Sequence, residues 1–503
     1  MLANLLGRRV GCARVGANVG VGRDLGHDVG HGILRGLDVA VWSLAAVVAL
    51  MAPLAQAAQA AQAAPRVSTV APYAPDQGRY IASADGFAVL PARDRVAPEN
   101  QMVADRLEHL LPQLMAEAGL DMWLVLNREY AEDPVYFSLV PQPTFAARRT
   151  TMLIFNRKAD GTLERMAVNR YPLGAPYSSA WSGGDLDAQW KALGELIASR
   201  NPQRIGINVS REWPVADGLT RGLHERLLEV LPAGYAEKLV PAEKLVIRWM
   251  ETRTAAEQQV YPQLVGIARG VISEAFSSRV VTPGVTTTDD LEWYIRQRYE
   301  QLGLVVWFMP HVNRQRQGQA CAENADYCGE SGVIERGDVL HTDVGFCYLK
   351  LCTDTQEMGY VLRLGEEDVP AGLKAALVTG NRWQDLLTGA FATGRTGNEV
   401  FAATKAGAEK AGINSRTYSH ALGMVGHAPG PTIGMWDNQG PTPVQGDWPV
   451  YPNTAYAIEG NIKQQVPEWG GQWVQMKLEQ SALFDGKRVV YLAGRQTQWH
   501  VVR

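Results

Sequence analysis

The stretch HTDVGFCYLKLCTDT, residues 341–355, carries two aspartates in a sequence otherwise suited to burial. Its apolar halves predict two strands joined by a tight turn near residues 348–350. The midpoint between Asp343 and Asp354 falls inside this turn, so paired strands would bring the two carboxylates close together on one face. Buried carboxylates that are this close repel each other, and a divalent cation is the usual remedy. The stretch therefore predicts a cation site.

More candidate ligands follow in the last third of the chain. YSHALGMVGH carries His420 and His427, AIEGN carries Glu459, and VQMKLEQSAL carries Glu479 in a strand-like alternation. Each residue alone has an ordinary interpretation as a turn, core or solvent-facing residue. With the two aspartates they supply one imidazole and four carboxylates, which suit Mn, Co, Zn or Fe rather than a thiolate site. Four carboxylates able to bridge also suit two neighbouring metals.

The order of these motifs resembles the pita-bread metallopeptidase family, which includes Xaa-Pro aminopeptidases, prolidases, methionine aminopeptidases and creatinase. The matching features are D-x-G at 343–345, Asp354-Thr355, H-A-L-G with a second histidine seven residues on, I-E-G, and L-E-Q-S-A-L before a D-G turn. The resemblance covers about 255–490. It implies an α/β (α+β) fold, in which a creatinase-type N-terminal domain over 101–245 precedes a pita-bread catalytic domain over 255–500.

The resemblance also implies a cofactor of two divalent metal ions, with manganese favoured and cobalt, zinc or iron as alternatives. A water or hydroxide between the metals would be the nucleophile. The implied metal ligands are Asp343 on one metal, Asp354 and Glu479 as bridges, and His420 and Glu459 completing the second metal.

Three residues acquire catalytic roles from the same resemblance. Glu459 would shuttle the proton, and His427 matches the family histidine that contacts the scissile amide or stabilises the tetrahedral intermediate. A further substrate-side histidine of the family has no match at its usual position, and His311 is the candidate substitute if a long loop follows it. Arg416 and Lys477 stand where proline-specific members often have His and Arg, which leaves proline specificity open.

The whole chain has the balance of a globular protein. It has 503 residues, of which 46% are hydrophobic and 20% are charged, so it is long enough for two or three domains. Strand-like runs alternate with helical patterns in the first half, which favours an α/β fold. The net charge of −4 predicts no basic surface and makes nucleic acid an unlikely partner.

The first 65 residues predict an export signal rather than part of the fold. An apolar run over 39–54 is followed by small residues ending in AQA, which resembles a cleavage site within 57–64. An uncleaved anchor is the alternative, and it would be the chain's one link to a membrane. Residues 66–100 are Pro- and Ala-rich and predict an extended lead-in. The expected location is periplasmic or secreted.

Export changes the interpretation of the cysteines. Four cysteines remain after the signal, and an even number in an oxidising compartment permits two disulfides. The hairpin that brings the aspartates together also places Cys347 nearly opposite Cys352. Pairings between sequence neighbours, Cys321 with Cys328 and Cys347 with Cys352, are the simplest hypothesis, and four free thiols are the alternative.

The resulting functional hypothesis is an exported two-metal peptidase, with Xaa-Pro aminopeptidase activity favoured. Its partners would be peptide substrates and a second copy of the chain in a homodimer. The alternatives are a hydrolase of another small amide or ester, prolidase-like in character, and a non-catalytic pita-bread binding protein. A scaffold with merely surface-exposed acids is a third alternative.

Overall fold

The computed structural model describes residues 88–319 and 321–503 of the chain. The predicted export signal therefore lies outside the described residues, as does most of the predicted lead-in. All described residues belong to one compact unit. Within them, no helix combines the length and the apolarity that crossing a bilayer would require.

The first part of the described chain folds around a mixed six-stranded sheet with the order β4-β3-β2-β1-β5-β6. Its strands β1 to β6 are Met122–Arg128, Thr150–Arg157, Leu163–Asn169, Ser178–Ser179, Ile205–Ile207 and Leu239–Pro241. Its helices α1 to α6 are Ala92–Asp105, Leu111–Ala118, Tyr136–Leu139, Leu186–Arg200, Arg221–Val230 and Glu243–Glu251. A π-helical segment, Arg106–Leu110, joins α1 to α2, and 3-10 turns occupy Pro214–Ala216 and Ala236–Lys238.

Helices cover both faces of this sheet, which explains the uninterrupted apolar run MWLVL in β1. Trp123 and Val125 pack into one core cluster with residues of α2 and α6. Leu124 and Leu126 point the other way, into a second cluster with residues of α4 and α5. Alternation along one strand thus supplies both cores.

The second part folds around a nine-stranded sheet with the central order β13-β15-β16-β12-β9-β8; β14, β17 and β18 add to β15, β16 and β12. The hairpin β10–β11 extends away from it and pairs with β7 in a small three-stranded sheet. Strands β7 to β18 are Val305–Val306, His311–Gln315, Val339–Val344, Phe346–Tyr348, Leu351–Cys352, Thr355–Val361, Asn414–Thr417, His420–Leu422, Thr454–Val466, Gln472–Phe484, Val489–Tyr491 and His500–Val502.

Four helices accompany this sheet, and three of them begin with a capping box. The helices α7 to α10 are Ala255–Ala275, Thr288–Gln301, Ala371–Gly389 and Gly397–Lys410. Thr254, Thr287 and Thr396 cap α7, α8 and α10, each with an acid three residues on that bonds back to the cap. A further 3-10 turn occupies Pro467–Trp469.

The helices lie on one face of the nine-stranded sheet, and the other face is left for the site. Glu357 of β12 bonds Arg269 of α7, and Leu478 of β16 contacts Gly380 of α9. Their neighbours Gln356 and Glu479 point the opposite way because side chains alternate along a strand. The apolar core therefore lies between sheet and helices, behind the polar face.

The structure confirms the predicted fold class, in which an N-terminal α/β domain precedes a pita-bread domain. The proposed domain boundaries stay a prediction. Two details differ. Residues 92–100 of the predicted extended lead-in are helical. This helix buries few side chains, so its apolar period is too weak to predict a helix. The run TPGVTTTDDLE favours Thr288 as the cap of α8, but the structure has Thr287, because the Thr287 side chain accepts from the Asp290 amide.

Candidate metal centre and its cavity

Strand pairing places five polar side chains in one line across the nine-stranded sheet. Direct Cα partners run from β15 to β8 without a break, and partners in antiparallel strands point to the same face. We call this line the ligand row: Glu459 pairs with Glu479, Glu479 with Gln356, Gln356 with Asp343, and Asp343 with His311.

The hairpin of residues 341–355 has its turn one residue later than predicted. Leu349 and Lys350 form the turn, both with left-handed φ values of 51° and 60°. That twist suits the tight turn of a β-hairpin. Cys347 is consequently the direct partner of Cys352, and the two form a disulfide.

The later turn also changes how the two aspartates meet. Asp343 pairs with Gln356 rather than with Asp354. Asp354 lies two residues before Gln356, so it is diagonal to Asp343 and on the same face. A register error of two residues keeps every side chain on its predicted face, whereas an error of one would have reversed it.

The remaining ligand candidates lie beside the ligand row. His420 pairs with Ala457, two residues from Glu459. Its Nε2 atom is 3.6 Å from Asp354 Oδ2, 3.6 Å from Glu459 Oε2 and 4.0 Å from Glu479 Oε1. The structure thus brings all five predicted ligands together. Ligand atoms within 4.8 Å of one another occur in the sets Asp343–Asp354–Glu479, His420–Glu459–Glu479 and Asp354–His420–His427.

Burial makes the carboxylates of this cluster hard to ionise. It raises the pKa of Asp343 to about 7, although the Lys477 ammonium acts in the opposite direction. Burial also raises the pKa values of Asp354, Glu459 and Glu479 well above their usual range, and the neighbouring carboxylates raise them further. The cluster therefore favours a bound positive charge.

His420 is prepared to bind a cation. Its Nδ1 atom lies 2.8 Å from the Ala421 carbonyl oxygen, so the ring donates there and leaves a lone pair on Nε2. Burial lowers the pKa of His420 to about 4, so the ring is neutral at physiological pH.

Unpartnered atoms show that the cluster fits metal ions. Buried atoms without a hydrogen-bond partner include Asp343 Oδ1, His420 Nε2 and both carboxylate oxygens of Glu479. Buried polar atoms normally have partners, and atoms that serve as ligands of a metal ion are one ordinary exception. One imidazole nitrogen with several carboxylate oxygens is a ligand set for Mn, Fe, Co or Zn.

The two predicted substrate-side histidines are exposed at the edge of the cluster. The His427 ring centroid is 4.7 Å from that of His420 and 5.0 Å from that of Trp307. His311 lies at the end of the ligand row, with Nδ1 3.2 Å from Glu292 Oε1 and Nε2 2.7 Å from the Tyr327 hydroxyl.

The segment between β8 and β9, which we call the cover loop (residues 316–338), reaches over the β15–β16 end of the sheet. A disulfide joins Cys321 to Cys328 within it, as the sequence suggested. Lys463 donates to the carbonyls of Ala322, Glu323 and Ala325. The loop is therefore held mainly by side chains of the sheet below.

A cavity of about 970 Å³ lies over the ligand row. The cover loop contributes Asp326 and Tyr327 to its lining, and Asp326 is ion-paired with Arg416. Among the described residues that line it, Lys477 is the one lysine or arginine. Its apolar lining comes from the N-terminal domain and from the 425–436 segment: Pro134, Trp213, Pro214, Val215, Val425, Met435 and Trp436.

Sequence reasoning missed several residues of this site. Gln356 lies in the ligand row, and its Nε2 donates to Glu459 Oε1 at a distance of 2.6 Å. His341 Nε2 lies 2.8 Å from Gln356 Oε1. Trp307 packs against Gly345 and Gly426, where no side chain would fit. A signal for His341 was present, because it lies two residues before Asp343 and therefore on the same face of the strand.

Comparisons with known proteins agree with this geometry. Residues 263–480 match metallopeptidase family M24. The fold resembles an X-Pro aminopeptidase from Thermotoga maritima MSB8 (TM-score 0.55, 16% identity, 78% of this chain and 100% of that one). It also resembles an Xaa-Pro dipeptidase from Bacillus anthracis (TM-score 0.52, 16% identity, 82% and 100%) and a dipeptidase from Pyrococcus horikoshii OT3 (TM-score 0.52, 16% identity, 80% and 100%). No curated protein sequence matches significantly.

Proposed function

We propose that this chain, in which residues 263–480 match metallopeptidase family M24, is an exported two-metal peptidase that releases the N-terminal residue of peptides, with Xaa-Pro bonds favoured. The observation that carries this proposal is the cluster of buried acids, in which Asp343 Oδ1, both Glu479 oxygens and the bare Nε2 of His420 have no hydrogen-bond partner. Peptides are the substrates expected of such an enzyme.

The ligand assignment follows the positions in the cluster. Asp343 would hold one metal, Asp354 and Glu479 would lie between the two, and His420 with Glu459 would hold the second. Manganese suits this carboxylate-rich set, and cobalt, zinc and iron accept similar ligands. When bound, the ions would polarise the scissile carbonyl and lower the pKa of a water.

The chain's own groups would handle the protons and the substrate. Glu459 would accept a proton from the attacking water and deliver it to the leaving amine, because its Oε2 faces the cluster while its Oε1 is held by Gln356. The exposed ring of His427 would donate a hydrogen bond to the oxygen of the scissile amide. His311 would contact the substrate from the other end of the row.

The charges in the cavity favour peptides longer than two residues. The carboxylate of a dipeptide would lie near the scissile bond, where it needs a cation. Lys477 is the candidate, but it is 3% exposed and donates to the Cys328 carbonyl oxygen at 2.8 Å, with the Tyr327 ring 3.5 Å away. A peptide with its terminus outside the cavity needs no such partner.

The apolar walls of the cavity support the preference for proline. Trp213, Pro214 and Val215 of the N-terminal domain line the cavity, and so do Met435 and Trp436. A pyrrolidine ring buries apolar surface against such walls and has no N–H that needs a partner.

We propose a periplasmic or secreted location and a homodimer as the working form. Two disulfides among the described residues suit an oxidising compartment. Fractionation of cells that express the full chain, with N-terminal sequencing of the mature protein, tests export and cleavage within 57–64. An intact N-terminus in the soluble cytoplasmic fraction would contradict export, and light scattering tests the dimer.

The decisive experiment assays manganese-loaded protein on an Xaa-Pro tripeptide, an Xaa-Pro dipeptide and a matched non-proline tripeptide. We expect hydrolysis of the first substrate to be fastest. Faster cleavage of the dipeptide would favour a prolidase-like enzyme. Uptake of two metal ions without hydrolysis of any peptide would favour a binding protein.

The matching variant is Glu459→Gln. We expect kcat to fall about 10²–10⁴-fold, because the proton acceptor is lost while the side-chain shape is kept. Glu409→Gln, on the exposed face of α10, is the control and should leave kcat unchanged. An active Glu459→Gln enzyme would remove Glu459 from its assigned role.

A further inference from the structure

A line of buried hydrogen bonds runs behind the metal cluster and ends on Glu459. Lys477 Nζ lies 3.3 Å from Asn313 Oδ1, and Asn313 Nδ2 lies 2.9 Å from His341 Nδ1. His341 Nε2 lies 2.8 Å from Gln356 Oε1, and Gln356 Nε2 lies 2.6 Å from Glu459 Oε1. The four residues before Glu459 are at most 3% exposed, so water cannot easily replace these bonds.

The chemistry of the groups in this line decides which one donates and which one accepts at each hydrogen bond. Lys477 Nζ donates to Asn313 Oδ1, which turns the Asn313 amide nitrogen toward His341, and an amide nitrogen can only donate. His341 Nδ1 must therefore accept, which places the ring proton on Nε2. That proton is donated to Gln356 Oε1, so the N–H of Gln356 faces Glu459.

We propose that Gln356 is a positioning residue for Glu459, and that His341 acts through Gln356 by fixing which end of its amide faces the carboxylate. This inference rests on the proposed function, in which Glu459 carries the proton. The Gln356 N–H holds Glu459 Oε1 and directs Oε2 toward the cluster, where it lies 3.6 Å from His420 Nε2. A reversed amide would set its oxygen against the carboxylate and push it away.

The Gln356 side chain is not needed to hold its strand. The backbone carbonyl of Gln356 accepts from Gln480 Nε2 at 3.2 Å, and β12 pairs with β9 over the run from Thr355 to Tyr360. The neighbouring Glu357 makes the buried contacts to the helices. Replacement of the Gln356 side chain should therefore leave the sheet intact.

The first test is structural and does not depend on activity. Crystal structures of metal-free wild type, Gln356→Met and His341→Leu should show one Glu459 conformer in the wild type and a rotated or divided carboxylate in both variants. An unchanged Glu459 in either variant would overturn the proposal. If His341→Leu does not fold, His341→Gln keeps an N–H donor in reach of Gln356 and should preserve the wild-type conformer.

The second test is kinetic and uses the manganese-loaded enzyme. We expect Gln356→Met and His341→Leu each to lower kcat about 10–100-fold with KM within about twofold, while two metals still bind. His341→Gln should recover most of kcat, and Gln465→Met, an exposed control on β15, should change nothing. Because His341 acts through Gln356, the double variant should be no slower than Gln356→Met alone.

The outcomes separate the two proposals. Additive losses in the double variant, or a raised KM with unchanged kcat, would overturn the positioning role. A wild-type enzyme that hydrolyses no peptide, together with a displaced Glu459 in the variants, would remove the proposed function and leave the positioning intact.

Discussion

Buried acids occur in two regions of this molecule, and the regions differ in whether a positively charged side chain lies beside the acid. Away from the cavity, Glu257 lies 3.0 Å from Arg106, and behind the sheet Glu357 lies 2.5 Å from Arg269. In the cavity, Asp354 Oδ2 and Glu479 Oε1 lie 3.6 Å and 4.0 Å from Nε2 of His420, whose ring is neutral and supplies no positive charge.

This difference distinguishes acids that stabilise the fold from acids that are available to bind a cation. A buried carboxylate needs a positive charge, and the chain supplies one where the role is structural. Where the chain leaves the charge out, a cation from solution can complete the site. Glu251 is an intermediate case, because Arg248 holds one carboxylate oxygen while the other has no partner.

The largest expected effect lies behind the sheet. Glu357→Gln leaves Arg269 buried without its carboxylate and should lower the free energy of unfolding by about 3–5 kcal/mol. Guanidinium unfolding measures it, with Glu300→Gln of the surface pair with Arg296 as a control that stays within about 0.5 kcal/mol. Equal effects of the two substitutions would contradict the structural role of Glu357.

The intermediate acid should give a pH-dependent effect. Burial raises the pKa of Glu251 from 4.5 to about 7, so the folded protein holds this proton more tightly than the unfolded chain does. The resulting stability is fully present below pH 4.5 and is lost as the pH rises through 7, by about 3 kcal/mol. Between pH 5 and pH 8 the wild type should lose about this much more stability than Glu251→Gln, in which the other buried acids still titrate.

The smallest expected effect has the opposite sign and belongs to the cavity. In metal-free protein at pH 7, Glu479→Gln removes a buried acid that has no strong partner and should raise stability by about 1 kcal/mol, or about 1 °C in Tm. Added manganese should then raise the Tm of the wild type well beyond that of the variant. A loss of stability in the metal-free variant would place Glu479 with the structural acids.

Much of the site could be predicted because side chains alternate along a strand, so positions in the sequence fix which face of the sheet each side chain occupies. The alternation in VQMKLEQSAL and the symmetry of residues 341–355 are enough to put their acids on one face, even with the turn misplaced by one residue. Gln356 could not be found in this way. Its role depends on which end of an amide faces Glu459, and His341 and Asn313, from two other parts of the chain, decide that.

The cover loop was beyond prediction for a different reason. Its position depends on side chains such as Lys463 reaching separate carbonyl groups, and no periodic pattern records such contacts. The long loop needed for His311 to reach the site was an expectation, and the structure has it. His311 pairs with Asp343 because β8 and β9 are adjacent in the sheet. The sequence does not indicate this adjacency, because the cover loop separates the two strands.

That loop has an evolutionary consequence. Because β8 and β9 pair directly with each other, segments of different length can be inserted between them without moving His311 or Asp343. An alignment that matches residues by their spacing from Asp343 would assign His311 to a gap and report a lost histidine. Homologues are better compared by strand register, and the inserted segment is where lineages are free to acquire different selectivity.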